Sequence, residues 1–510
     1  MDLNLAIVVL YLVAMLAFGF WGRSRTKNSS DYLVAGRRLG YFLYTGTMAA
    51  VVLGGASTVG GVGLGYKMGL SGMWLVVAIG VGVLLLSLQF AGTIQKLRVY
   101  SVSEMLDLRY GHKATGASSI VMLAYTIFLS VTSTGAYATV LHVLLGWDRW
   151  LCIVVGGGVV LVYSVIGGMW SITLADQVQF IIKTIGIFAL MLPFTLSKAA
   201  GFDGIRERMG DQAFNLIGDK NFGADPQTIL TWFVVFTLGL LIGQDIWQRV
   251  FTARSPEVAR WGGAAAGIYC IFYGAAGAVI GMAAHASLGD KIKVKDDVYA
   301  EVADKILPVG IGGLVLAAAV AAMMSTASGA LIAAATVARN DVVPMITGKA
   351  KATGESAEDP HSDKNIRENR TWVLGLGIVI IAIAAWMSSL KAGGDIVVAS
   401  LTIAYDILVG GLLIAILGGF VWKRGNGQGA AASMIVGTVV TLGTMAVLAV
   451  QLGDPLLGIL DNKPIYFGLL ASLVTFVAVS LATKPVRPEV REEWDARVSG
   501  RIETEGVRTS

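Results

Sequence analysis

The feature that most constrains this chain is a succession of apolar stretches, each about 20 residues long and carrying few charges. A helix of that length spans the hydrocarbon core of a bilayer. Soluble proteins carry about 25% charged residues, and only 14% of these residues are charged, which excludes an ordinary soluble domain. We predict an all-α polytopic membrane protein with about 13 transmembrane helices, at residues 4–21, 41–66, 70–95, 117–145, 150–169, 173–198, 228–250, 257–286, 300–338, 370–389, 395–422, 428–451 and 463–483.

Charge distribution predicts the orientation. The first connection carries Arg23, Arg25 and Lys27, and the alternate connections that share its face, to which we assign Arg249, are richer in Lys and Arg than those on the opposite face. By the positive-inside rule, we expect the N-terminus outside and the C-terminus in the cytoplasm of a cell membrane, with the bacterial inner membrane as our choice. The first apolar run lacks a small-residue cleavage site, so we interpret it as a retained span. The net charge of +5 then reflects orientation and requires no nucleic-acid partner.

Span 41–66 is the anomalous one because six glycines crowd its second half: Gly54, Gly55, Gly60, Gly61, Gly63 and Gly65. Glycine costs about 1 kcal/mol in a helix interior, so this composition predicts a break within the membrane. Unwound backbone is tolerated there only when it is buried in protein or lines a cavity, and we therefore place a binding site at the break. Close helix packing on glycines is the alternative explanation.

Span 228–250 holds a weaker counterpart, Gly239 and Gly243. Paired interruptions in two halves are typical of inverted-repeat transporters. We predict one transmembrane domain over 1–483, with a peripheral span at 4–21, five-helix repeats at 41–198 and 228–422, peripheral spans over 428–483, and a cytoplasmic tail at 484–510.

In span 300–338, Ala322, Ser325 and Thr326 are spaced i, i+3, i+4 and so share one helix face. Hydroxyl and carbonyl oxygens are suitable ligands for Na⁺, which transporters hold with unwound carbonyls. Small hydroxyl residues also pack helices together, and on spacing alone packing is the preferred explanation.

The chain resembles the sodium:solute symporter family, which has a leucine-transporter-type fold. Four segments carry the resemblance: STVGGVGLGYKMGL, YSVIGGMWSITLADQVQ, GQDIWQRVFTARSPEVAR and AAMMSTASG. The resemblance implies a sodium site between spans 41–66 and 300–338. Its ligands would be the carbonyls of Ala50, Leu53 and Ala322 and the hydroxyls of Ser325 and Thr326.

Four further ionisable residues lie inside the spans. Asp176 matches an aspartate that belongs to a second sodium site in some similar members, although Ala322 stands where one of that site's hydroxyls would be; capping of its helix is the alternative. Lys183, Asp245 and Asp406 lie deeper, where an uncompensated charge costs roughly 3 kcal/mol or more. We expect Lys183 to pair with one of the two carboxylates, and Asp176 and Lys183 remain candidates for a second cation site or for coupling.

A surplus carboxylate would then favour a cationic solute. The remaining candidates for a solute pocket are neighbours in sequence of the two carboxylates or of the glycine break: Ser57, Gln244, Trp247 and Tyr405. Their aromatic rings could add cation–π contacts with an amine or quaternary ammonium.

The chain shows no sign of an enzyme, since it has neither a Walker lysine loop nor a Rossmann glycine motif after a strand. We predict a Na⁺-coupled symporter that imports a small organic solute by alternating access, with Na⁺ as coupling ion, no organic cofactor and no obligate protein partner. The alternatives are a proton-coupled transporter, through Asp245, Asp406 and Lys183, or a transporter-like membrane sensor.

Overall fold

The computed structural model describes residues 3–111, 114–219, 222–292, 294–347, 363–388 and 396–500 of the chain. Within these ranges every regular element is a helix, and strand-like pairing is limited to one bridge between Leu39 and Ala253. The predicted all-α fold class is confirmed. The last ten residues of the predicted tail lie outside the described residues.

The helices used below are numbered in chain order: α1 (Leu3–Arg25), α2 (Tyr41–Val52), α3 (Gly61–Met68), α4 (Trp74–Leu85), α5 (Thr115–Leu145), α6 (Arg149–Thr184), α7 (Pro226–Trp232), α8 (Gln244–Thr252), α9 (Gly263–Leu288), α10 (Ile311–Val337), α11 (Asp363–Ser388), α12 (Ile396–Val421), α13 (Gly427–Leu452), α14 (Lys463–Ala482) and α15 (Pro488–Ser499). Shorter helices occupy many of the connections: Ser29–Val34, Gly92–Lys96, Val102–Tyr110, Leu192–Lys198, Gly201–Met209, Val298–Lys305, Val343–Thr347 and Pro455–Leu460.

Ten helical stretches of the described chain are long and apolar enough to cross a membrane, or eleven if the bent pair Pro226–Leu240 and Gln244–Thr252 forms one span. The predicted number of thirteen is not confirmed. The difference arises where we predicted short loops, because the stretches Ala56–Lys96 and Arg149–Lys198 remain helical there, through a 3-10 helix at Gly69–Met73 in the first and across a kink at Gly168 in the second. Each stretch nevertheless contains a glycine with positive φ, at Gly69 and Gly168.

Gly168 turns the chain within α6. Its φ of 57° lies in the left-handed region, and a Cβ at this position would lie 2.6 Å from Cδ2 of Tyr32. Only glycine meets both conditions without strain. The turn gives the second part of α6 its own direction, and that part carries Asp176 and Lys183 into the protein core, where both are fully buried.

Two helix breaks face the centre of the molecule. The first follows α2 at Leu53 and Gly54, and the second separates Leu240 from Gln244 with a bend of 45°. Both breaks fall where the glycines predicted them. Leu39, which precedes α2, exchanges backbone hydrogen bonds with Thr252 and Arg254 at the end of α8 (3.0 Å each), so the two broken helices are joined.

The core is centred on α10. The apolar 18-residue segment of the stretch that contains α10 is 100% buried, whereas the corresponding segments of α1, α13 and α14 are 28%, 33% and 28% buried. Alanine, glycine and hydroxyl residues make up much of α10, and small side chains let neighbouring helices approach closely. The helix α11, within the predicted repeat 228–422, is 22% buried, so exposure does not separate peripheral spans from the repeats, and the predicted domain bounds stay a prediction.

Candidate ion and solute site

A small chamber lies where the two breaks meet α5, α10 and α12. Its volume is about 20 Å³, which is room for about one water molecule. The chamber is therefore too small for an organic solute in this conformation. Its polar lining consists of Ser57, Thr132, Ser133, Asp245, Thr326 and Tyr405.

A larger cavity, which we call the vestibule, has a volume of about 230 Å³. Ala56, Phe236 and Leu401 border both the vestibule and the chamber. Away from the chamber, the vestibule is bounded by Lys295 and by the connection that precedes α14. The shared lining residues place the vestibule directly beside the chamber.

The C-terminal end of α2 presents carbonyl oxygen atoms beside the first break. The last carbonyls of a helix lack their usual partners, and here a side chain of another helix donates to three of them. The Lys183 ammonium donates to the carbonyl oxygens of Ala49 (3.1 Å), Ala50 (3.2 Å) and Leu53 (3.5 Å). Two predicted sodium ligands, Ala50 and Leu53, thus converge on one point, and a cation of the chain itself occupies it.

The two predicted hydroxyl ligands lie on the adjoining face of α10. Thr326 Oγ1 donates to the carbonyl of Val51 (2.6 Å), and Ser325 Oγ donates to Asp176 Oδ1 (2.6 Å). Each hydroxyl uses its proton in this bond and keeps oxygen lone pairs for another partner. Ala322 lies one turn earlier and is fully buried.

Asp176 is held by three side chains and has no exposure to solvent. Its carboxylate accepts hydrogen bonds from Thr47 Oγ1, from Ser325 and from Arg249 Nη2, the last at 3.1 Å. The Arg249 side chain is also completely buried, so its guanidinium supplies the counter-charge. The capping interpretation is wrong, because Asp176 lies about two turns after Gly168, beyond the first turn of the second part of α6, and its partners are side chains of other helices.

The expected pairing of Lys183 with Asp245 or Asp406 is also wrong. Lys183 donates to backbone carbonyls, whose dipoles at a helix C-terminus favour a positive charge. Asp245 instead accepts a hydrogen bond from the hydroxyl of Tyr125 (2.8 Å). Asp406 lines the vestibule, is 1% exposed, and its Oδ1 has no hydrogen-bond partner among the described residues.

The predicted solute residues divide into two groups. Ser57, Asp245 and Tyr405 line the chamber, and Tyr405 packs edge-on against Tyr125. Gln244 and Trp247 have partners elsewhere. The Gln244 amide bridges the backbone of Tyr100 and Val102, and the Trp247 indole donates to the carbonyl of Leu241 (2.8 Å).

Three residues of the site were not identified from the sequence: Thr47, Tyr125 and Arg249. Arg249 looked like a loop cation because it ends the apolar span 228–250, and the motif GQDIWQR gave no sign of its partner 73 residues away. The signal that could have found it is the buried Asp176, since a buried carboxylate requires a counter-charge.

Comparison with known proteins identifies the family. The model of the sodium:solute symporter family matches residues 32–437. The chain belongs to the sodium:solute symporter family. This symporter is 24% identical over 564 residues to the sodium/glucose cotransporter 4 of Danio rerio, covering 97% of this chain and 81% of the relative. It is 24% identical over 407 residues to the human high affinity choline transporter 1, covering 75% and 66%.

A solved structure of a Na⁺-coupled sialic acid symporter, in a substrate-bound outward-open state, has the same fold as this symporter. The TM-score is 0.76 at 18% identity, with 96% of this chain and 99% of the other covered. The leucine-transporter-type architecture is confirmed. The protein is a multi-pass membrane transporter, a sodium-coupled symporter of a small organic solute, and not an enzyme.

Proposed function

We propose that Na⁺ binds between the first helix break and α10, at the carbonyls of Ala50, Leu53 and Ala322 and the hydroxyls of Ser325 and Thr326. The convergence of Ala50 and Leu53 on one cation supports this proposal. The tight contact between the break and α10 also supports it, because a Cβ on Gly54 would lie 2.4 Å from Thr326 Oγ1. Neutral oxygens from two helices suit a monovalent ion.

We propose that the solute carries a cationic group, an amine or a quaternary ammonium, which binds against Asp245. The observation that carries the proposal is the charge of the chamber: Asp245 is the one ionisable acid or base among the described residues that line it, tyrosine aside. Tyr125 fixes the carboxylate by its hydrogen bond. A desolvated carboxylate with no cationic neighbour in the chamber favours a positively charged ligand.

The aromatic residues around Asp245 fit the same ligand class. Tyr405 borders the chamber and Phe236 borders both cavities, with their ring centroids 5.2 Å apart. Aromatic faces attract ammonium groups by about 2 kcal/mol when the contact is desolvated. Asp406, whose Oδ1 has no hydrogen-bond partner among the described residues, adds a second acidic side chain at the vestibule.

The similar proteins do not single out one class of solute, because they are carriers of a sugar, of a quaternary amine and of an acid. We place the symporter in the cell membrane, with the N-terminus outside. In that orientation the vestibule opens to the exterior, since Lys295 and the connection before α14 belong to predicted external loops.

A thermal-shift screen of the purified protein tests the solute class. The probes are choline, a primary diamine, glucose and a monocarboxylate, each with NaCl and with KCl at equal ionic strength. We expect stabilisation by a cationic probe in NaCl. Asp245→Asn should weaken that binding roughly 10- to 150-fold, since hydrogen bonds to charged groups contribute about 1.5–3 kcal/mol.

Asp211→Asn is the matched control, because Asp211 is exposed and lies in a connection far from the chamber in sequence. It should bind the cationic probe as the unmodified protein does. Binding of the sugar or the monocarboxylate that persists in both Asp245→Asn and Asp406→Asn would show that the solute is not cationic.

A further inference from the structure

The end of α2 has an unusual set of hydrogen-bond donors. Thr326 satisfies the carbonyl of Val51, and the carbonyl of Gly54 accepts from the backbone of Thr58. The carbonyls of Ala49, Ala50 and Leu53 all receive the same donor, the Lys183 ammonium. A single point next to the break therefore collects three carbonyl oxygens, and a positive charge fills it.

Lys183 reaches this point from α6 and is fully buried. The nearest buried carboxylate on its own helix, Asp176, is bound to Arg249, Thr47 and Ser325. The ammonium is thus held by carbonyl oxygens and helix-end dipoles, which are the groups that would hold a metal cation. No described His, Cys, Asp or Glu cluster offers a metal ion another set of ligands.

We propose that Lys183 is a tethered cation that competes with Na⁺ for the carbonyl oxygens of Ala50 and Leu53. This inference rests on the sodium site proposed above and adds its regulation. Two positive charges a few ångströms apart repel each other strongly in a dry interior, so the ammonium and the ion are alternative occupants. Na⁺ enters when the Lys183 side chain leaves the carbonyls.

The competition links ion binding to a helix contact. While Lys183 holds the carbonyls, it ties the break after α2 to α6. Thr326 joins the break to α10 in this state as well, through its hydrogen bond to Val51. When Na⁺ replaces Lys183, the tie to α6 is lost and the ion adds Ser325 and Thr326 to the contact with α10. Each occupant therefore stabilises a different pair of helices, and a ligand shifts a conformational equilibrium by such differential contacts.

Sodium titration of full-length purified protein tests the inference. Lys183→Met removes the charge and retains an unbranched apolar chain, Lys183→Gln also keeps a donor for the carbonyls, and Lys183→Arg keeps the charge. Thermal stability is measured across NaCl concentrations, with KCl holding ionic strength constant. If Lys183 occupies the carbonyl site about nine-tenths of the time, the apparent dissociation constant for Na⁺ rises about tenfold.

We expect Lys183→Met and Lys183→Gln to lower the half-saturating Na⁺ concentration about tenfold or more. Lys183→Arg should leave it at the level of the unmodified protein or raise it. A lysine with a merely structural role would lower the unfolding temperature in both salts and leave the half-saturation unchanged, which would overturn the inference. If Lys183→Met does not fold, the half-saturating Na⁺ concentration of Lys183→Gln tests the inference.

Thr326→Ala, alone and combined with Lys183→Gln, separates this inference from the proposed ligand set. Tighter Na⁺ binding in Lys183→Gln that Thr326→Ala does not weaken supports the competition and removes Thr326 from the site. Weaker binding in Thr326→Ala, with no effect of Lys183→Gln, supports the site and overturns the competition. If the unmodified protein, Lys183→Gln, Thr326→Ala and the double variant all show no response to Na⁺, both the proposed sodium site and the competition are overturned.

Discussion

Buried charges in this symporter are compensated in different ways, and the differences assign their roles. Asp176 has a guanidinium partner, so its charge is neutralised within the protein. Lys183 has carbonyl oxygens, which attract a cation but carry no full charge. Asp245 accepts from the hydroxyl of Tyr125, lies in the first turn of α8 and lines the chamber, and it has no ion pair of its own among the described residues. A buried charge that has polar contacts but no ionic partner can be neutralised by a ligand of opposite charge.

Ser325→Ala and Thr326→Ala should both weaken Na⁺ binding, because each removes one oxygen ligand and leaves a small side chain that still packs. The loss of a contact with a charged group amounts to about 1.5–3 kcal/mol, which is about tenfold or more in half-saturation. Sodium activation of solute uptake measures it. Ser325→Ala should in addition lower the unfolding temperature, because it removes a donor from Asp176.

Thr441→Ala is the matched control for these variants. Thr441 is a buried hydroxyl residue on the peripheral helix α13 and donates to the Gly437 carbonyl of its own helix (2.8 Å). Its substitution should leave the sodium half-saturation unchanged. If Ser325→Ala and Thr326→Ala behave like this control, the sodium site lies elsewhere.

At the scale of the element, the break after α2 is maintained by contacts as well as by glycine content. Gly54 lies against Thr326, and a Cβ there would come within 2.4 Å of its hydroxyl and 2.8 Å of its Cβ. Gly60, also in the glycine-rich segment, has helical backbone angles, and a Cβ added there would meet nothing within 4 Å. The two glycines therefore have different functions despite their similar sequence context.

Gly54→Ala should destabilise the protein and weaken Na⁺ binding, because overpacking costs about 1–3 kcal/mol and would push α10 away from the break. Gly60→Ala is its control and should be neutral or stabilising by up to about 1 kcal/mol, as alanine favours a helix over glycine. Thermal unfolding with and without NaCl measures both. Equal effects of the two substitutions would contradict a specific contact at Gly54.

At the scale of the whole molecule, the distribution of positive charge predicts the orientation, and the vestibule is bounded by connections on the face that is predicted to be external. Arg249 must be removed from the charge comparison, since it is buried against Asp176 and does not lie in a loop. The excess of Lys and Arg on the predicted cytoplasmic face remains. In the predicted orientation, the vestibule lies toward the opposite, external face.

Labelling of introduced cysteines tests this orientation. Gln212 and Glu489 are exposed, and both native cysteines, Cys152 and Cys270, are buried. A membrane-impermeant maleimide should label Gln212→Cys on intact cells. It should label Glu489→Cys only after permeabilisation. The unmodified protein, whose two cysteines are buried, is the control for background labelling. The reverse pattern would place the N-terminus and the vestibule on the cytoplasmic side.

The sequence by itself determined the fold class, the central position of the glycine-rich segment and the position of both helix breaks. These properties depend on local composition: apolar length decides whether a segment spans the membrane, and crowded glycines decide where a helix ends. The family could also be inferred from short contiguous motifs. The number of separate spans was less secure, because Gly168 bends a helix without ending it.

Only the tertiary structure decided which partner each buried polar group has. Lys183 was expected to bind a carboxylate and instead binds carbonyls 130 to 134 residues away, and Arg249 binds Asp176 across 73 residues. Gln244 and Asp245 are adjacent, yet one bridges backbone groups and the other faces the chamber. The physical reason is that local periodicity fixes a helix and its faces, whereas the partners of a buried charge depend on how distant helices pack around it.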